Sequence, residues 1–93
     1  MLINEENGIK TYEGKLYFDG DDIDTSAYYD NGVRWVEVKY SFTEMPNGDV
    51  EDFEYDANDN LGSGVDAVND LVNFKRWGED YIEEKCYKAE GVR

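Results

Sequence analysis

Apolar and polar residues alternate with a period of two over three stretches of this chain. In Lys15–Asp19, Leu16 and Phe18 share one side and Tyr17 takes the other. In Val33–Thr43, Val36, Val38, Tyr40 and Phe42 form an apolar side, with Arg34 on that side near the start; Trp35, Glu37, Lys39 and Ser41 face away. In Asp49–Asp56, Phe53 and Tyr55 share a side with Glu51, while Asp52, Glu54 and Asp56 point the other way. A period of two is the strand period, so these stretches predict three β-strands. Met45-Pro46-Asn47-Gly48 joins the last two, and Asn-Gly favours a hairpin because both residues tolerate positive φ. A two-residue turn pairs Phe42 with Phe53 and Tyr40 with Tyr55, whereas a four-residue loop pairs Tyr40 with Phe53. Either register keeps each side chain on its face. A weaker strand near Ile9–Tyr12, followed by Glu13-Gly14, predicts an N-terminal hairpin. The segment from Gly20 to Gly32 reads as an acidic loop carrying Asp21, Asp22, Asp24 and Asp30, with Tyr28-Tyr29 inside it.

The period changes after Ser63. Ser63-Gly64-Val65-Asp66 fits a helix N-terminal capping box with Asp in place of the usual Glu. Val65, Val68, Leu71 and Val72 then share a helical face, away from Asp66, Asp70 and Asn73. Lys75-Arg76 complement the negative end of a helix dipole, and Gly78 suits a stop. Glu79-Asp80 suit a second start, with Tyr81, Ile82 and Cys86 as its apolar stripe. Two helices broken near Gly78 are expected, with one continuous helix as the alternative. The prediction is a single α+β domain over 1–93: a three- or four-stranded antiparallel sheet, with one or two C-terminal helices packed on its aromatic face.

Composition changes what that domain is expected to do. Asp and Glu number 23 against 9 Lys and Arg, a net charge of −14. A net charge of magnitude about 2–8 already keeps a small domain soluble, and the excess repels itself. Leu, Ile, Val and Phe make up 20 of the 93 residues, near the level of disordered chains, but aromatics reach 15% and fall in periodic runs. The chain is therefore expected to fold. A lone cysteine, Cys86, excludes an internal disulfide and reads as a small buried hydrophobe. The opening residues lack the basic and apolar regions of a signal peptide, and no apolar run suits a membrane span. A cytoplasmic protein that an anionic bilayer repels is expected.

Catalytic signatures are missing. Histidine, the commonest general base and metal ligand, is absent. Gly62-Ser63-Gly64 lacks the Lys and spacing of a phosphate loop. Carboxylate pairs carry no information among so many acids. Frames starting at Asp19 and Asp56 break the helix–loop–helix calcium pattern at its glycine, and neither ends in Glu. No enzyme, cofactor or specific metal site is expected; a weak calcium-binding module is the least favoured alternative.

The acids themselves are the candidate chemistry. Alternate residues on a strand lie about 6.6–6.8 Å apart, so Asp52, Glu54 and Asp56 would form a row of charge. Asp19, Asp21, Asp22, Asp24 and Asp30 in the loop, Asp59, and the helix acids Asp66 and Asp70 would supply more. Trp35 beside Glu37, and Tyr28-Tyr29 among the acids, are aromatic anchors of the kind that interfaces use. Small size, extreme acidity and interleaving of acids with tyrosine resemble phage-encoded anti-defence proteins, the DNA-mimicking antirestriction proteins and anti-CRISPR inhibitors. The resemblance spans the whole chain as composition and carries no family motif. It implies a partner that is a basic nucleic-acid-binding protein or ribonucleoprotein complex, in the host cytoplasm, with no direct contact to nucleic acid or membrane. Asn7–Asp19 is also similar to one unit of the aromatic repeats of choline- or glucan-binding surface proteins. Those repeats work in arrays, and only one copy is present here. The alternative function is a small interaction or phage accessory module whose acidity serves solvation.

Overall fold

The computed structural model describes residues 1–92. Four strands form one antiparallel sheet in sequence order: β1 (Leu2–Glu6), β2 (Ile9–Asp19), β3 (Trp35–Glu44) and β4 (Val50–Asp59). Helix α1 (Thr25–Asn31) lies between β2 and β3; α2 (Val72–Trp77) and α3 (Glu79–Ala89) follow a 3-10 helix at Gly64–Asp70. The α+β architecture agrees with the sequence pattern, and so does the helix break: Gly78, at φ 67° and ψ −151°, separates α2 from α3.

The hairpins differ from expectation in an instructive way. Glu13-Gly14 is not a turn, because β2 runs unbroken through it. Its turn lies earlier, at Asn7-Gly8, whose φ angles of 55° and 79° give a two-residue hairpin with Glu6 opposite Ile9. Gly14 serves a different purpose. A β-carbon there would overlap the Tyr40 hydroxyl group and lie 2.9 Å from Glu90 Oε2, so only glycine lets Tyr40 cross the strand.

The β3–β4 connection is neither of the two loops expected. The Met45 N–H donates to Asp49 O (2.8 Å) and the Gly48 N–H to Met45 O (2.9 Å), which encloses a three-residue loop, Pro46-Asn47-Gly48, with Gly48 at φ 91°. The register would then miss Tyr40 opposite Tyr55 by one residue. A β-bulge corrects it: Asp52 and Phe53 together oppose Phe42, with Asp52 at φ 56°. From there on Tyr40 faces Tyr55, as a two-residue turn would have placed it. The bulge also reassigns a side chain. Val50, not Glu51, joins Phe53 and Tyr55 against the core.

The aromatic side of the sheet is the buried one. Tyr12 stacks on Phe42 at 5.0 Å between ring centroids, and Tyr87 of α3 meets the Phe42 ring edge-on at 4.9 Å. Ile82 and Cys86 are fully buried beside Tyr87. Two expected helical features are absent. Ser63 makes no capping hydrogen bond, and the stretch after it is a 3-10 helix that ends at an extended Leu71, bridged to Ile23. Ala67, Val68 and Leu71 are buried while Val65 and Val72 are exposed, so the α-helical face drawn through all the valines does not form. The acidic loop also contains more structure than its composition suggested. Asp24 accepts from the Ser26 N–H at 3.1 Å and caps α1, which buries Ala27 and ends at Gly32 in the left-handed region.

The molecule is elongated, 50 × 22 × 17 Å, with a radius of gyration of 14.4 Å. A compact domain of this length would be near about 12 Å. Among the described residues no helix is long and apolar enough to cross a membrane.

Candidate functional site

The helices cover one side of the sheet and leave the other open. Cross-strand neighbours on that open side form rows: Glu13, Ser41 and Glu54; Lys15, Lys39 and Asp56; Tyr17, Glu37 and Asn58; and, at the end, Asp19 beside Trp35. Its middle is not uniformly acidic. Lys15 and Lys39, side by side in the neighbouring row, each approach Glu37 at 3.9 Å, one at each carboxylate oxygen. Such exposed pairs contribute about 0–1 kcal/mol each, but they cancel charge locally. A shallow depression of about 640 Å³ lies among Glu13, Lys15, Lys39, Ser41, Glu54 and Asp56.

The strongest row of charge runs along β4. Glu54 and Asp56 point to the open side as expected and are exposed. Glu51 joins them through the bulge, opposite Thr43. Asp52 does not continue the row; it is exposed but sits in the bulge, off the two-residue alternation. Because β4 is an edge strand, these acids also discourage another strand from pairing with it.

Trp35 and Tyr17 form an aromatic pair on the same face. Their rings meet edge-on at 6.0 Å, and the Tyr17 hydroxyl donates to Glu37 Oε2 at 2.6 Å. That hydrogen bond, with the nearby charge of Glu37, raises the Tyr17 pKa. Trp35 remains 36% exposed, so the loop does not fold over it. Tyr17 was not among the expected site residues, although its alternation with Leu16 and Phe18 already placed it on Trp35's side.

A second group gathers where β2 ends and β3 begins. Asp19, Asp21 and Asp30 are exposed there and Asp22 is half-buried. Tyr28 and Tyr29 meet edge-on at 5.0 Å, and the Arg34 guanidinium lies 4.2 Å from the Tyr28 ring centre. Asp24 is committed elsewhere. Besides capping α1, it accepts from Lys75 Nζ at 2.5 Å, and that bond is the first reason its pKa falls below the usual aspartate value.

Two further acids are drawn in from the surface, wholly or in part. Asp59 is only 3% exposed, and its Oδ1 accepts the Leu61 N–H (2.9 Å) and the Ser63 N–H (3.0 Å). Backbone donors close a turn around it; they hold its pKa down despite burial, and the side chain cannot reach a partner. Asn60 works alongside, accepting from the Arg34 N–H at 2.7 Å and donating to Gly32 O at 2.9 Å. Asp70 is half-buried, and burial, followed by the charge of Asp59, raises its pKa. Asp66 is exposed on the 3-10 helix that packs along β4. Of the expected site acids, Glu54 and Asp56 thus lie in the row along β4, while Asp19, Asp21, Asp22 and Asp30 lie at the sheet's end.

Among the described residues, no three His, Cys, Asp or Glu side chains converge where a metal ion would fit. Cys86 is sealed in the core, and burial pushes its thiol up to about 12. No protein-family model, curated protein or solved structure matches this chain.

Proposed function

We propose that this chain is an acidic binding protein that occupies the basic groove of a nucleic-acid-binding protein or ribonucleoprotein complex. It would act as an inhibitor of the anti-CRISPR or antirestriction kind by standing in for nucleic acid. The observation that carries the reading is a net charge of −14 along a body 50 Å long and about 20 Å across. Duplex DNA carries one charge per about 1.7 Å, hence about 30 over the same length. The protein offers about half that density. A groove built for phosphates would accept it and attract it from a distance, with a strong dependence on salt. The test is calorimetric binding to purified restriction and RNA-guided nucleases across a salt series, with and without competing duplex. Affinity should fall steeply with salt and duplex should displace the protein; salt-insensitive binding that duplex leaves alone would refute mimicry.

A second reading is favoured by a different observation. Tyr29, Val72 and Trp77 are exposed, and the centre of the open sheet face is neutralised by Lys15 and Lys39. A small interaction module would use these apolar side chains and keep its acids for solvation. It predicts that Glu54→Lys with Asp56→Lys leaves partner binding intact.

A further inference from the structure

Beside α1 lies a pocket of about 370 Å³, lined by Asp21, Ile23, Thr25, Tyr28, Tyr29 and Val72. Three kinds of surface meet in it. Ile23 is buried and Val72 is 45% exposed, so the two supply apolar wall. Tyr29 is 76% exposed, and its ring meets Tyr28 edge-on while remaining largely open to solvent. Asp21 is exposed and offers a carboxylate. Among the described residues no cation is paired with Asp21; Arg34 is engaged on Tyr28 and Lys75 on Asp24.

Resting on the reading above, we propose that this pocket receives an arginine side chain of the basic partner protein. Each part of arginine has a counterpart. Its methylene stem lies on Val72 and Ile23, as long cationic side chains do on apolar surface. Its planar guanidinium stacks on the Tyr29 ring, and its paired N–H groups donate to the Asp21 carboxylate. The chain already contains one such contact, since Arg34 stacks on the adjacent Tyr28. Lysine satisfies the charge but lacks the plane and the fork, so the pocket prefers arginine. Charge complementarity selects the occupant: a second copy of this chain, at −14, is repelled.

The test is a titration of the isotopically labelled full chain with hexa-arginine and hexalysine peptides at low and near-physiological salt, followed by backbone amide shifts. The expected result is saturable movement of Asp21, Thr25, Tyr28, Tyr29 and Val72, tighter for hexa-arginine. Tyr29→Ala should weaken that binding about two- to fivefold, and Tyr29→Phe should restore it. Tyr29 is exposed, so the amide spectrum of each variant should otherwise stay unchanged. Saturable shifts confined to Glu51, Glu54 and Asp56 would overturn the pocket while leaving the acidic binding surface in place. Equal affinity for the two peptides with no effect of Tyr29→Ala would overturn it likewise. Absence of binding by either peptide at low salt would overturn both, because a surface that docks in basic grooves must attract short polycations.

Discussion

Replacing Gly14 by alanine should destabilise the protein severely, although Gly14 sits in a strand where alanine is ordinarily the better residue. A β-carbon at this position overlaps the end of the Tyr40 side chain, which is buried and donates its hydroxyl to Glu90. Tyr40 must therefore move. Losing a hydrogen bond to a charged acceptor costs about 1.5–3 kcal/mol, and crowding a packed core costs about 1–3 kcal/mol. The sum, about 2.5–6 kcal/mol, is a large part of the roughly 5–15 kcal/mol that holds a small domain folded. Each kcal/mol moves Tm by about 4–8 °C in a domain of this size, so a fall of at least about 10 °C is expected. Urea unfolding at unchanged slope gives the free energy directly. Tyr40→Leu removes the obstructing ring end, so the Gly14→Ala, Tyr40→Leu pair should cost at least about 1 kcal/mol less than the sum of the single changes. If Gly14→Ala stays within about 0.5 kcal/mol of the parent, the account of this close approach is wrong.

Other outcomes follow from the acids and the cysteine. Asp70 has a raised pKa in the fold, so the folded state favours its protonated form and loses stability as pH rises through the folded pKa. Asp70→Asn should accordingly raise Tm at neutral pH, with the gain vanishing below the ordinary value of 3.8, where Asp70 is protonated folded or unfolded; a gain that persists there would contradict this. Asp59 behaves oppositely: its lowered pKa makes it stabilising above the unfolded value, and that stability disappears as pH falls through the folded one. Asp59→Ala strips two hydrogen bonds to a charged acceptor and should cost about 3 kcal/mol or more in urea unfolding at pH 7, whereas Asp59→Asn, which keeps an acceptor oxygen, should cost less. Cys86 should react with an aromatic disulfide reagent only as fast as the protein opens, since its thiol is buried and pushed up to about 12; rapid labelling of the folded protein would contradict its place in the core.

Much of this architecture can be read from residue patterns, and the misreadings have physical causes. Alternation identifies the buried side of β3 because Val36, Val38, Tyr40 and Phe42 occur without interruption. It fails on β4 because a bulge shifts the period by one. The bulge residue is Asp52, an acid among acids, with no glycine to mark its positive φ. Glu13-Gly14 resembles a turn, and nothing local shows that Gly14 is needed by Tyr40, 26 positions away in sequence. Helix α1 is short enough that its acids hide it, although Asp24 suits a helix start and Gly32 a helix stop. Asp59 looks like a surface charge because its partners are backbone N–H groups, which have no sequence signature. The pocket on α1 has the same origin. Tyr28, Tyr29 and Asp21 are conspicuous, but Val72 arrives from a distant segment, brought near by the bridge between Ile23 and Leu71.

As proposed above, the acidic surface would compete with nucleic acid for a basic groove. The most direct measurement is the affinity of the protein for purified restriction and RNA-guided nucleases, as a function of salt and of competing duplex. The account predicts a linear fall of log affinity with log salt concentration, and loss of binding once duplex fills the groove. Glu51→Lys, Glu54→Lys and Asp56→Lys together should flatten that slope. Binding that ignores salt, tolerates saturating duplex and survives this reversal of the β4 row would contradict it.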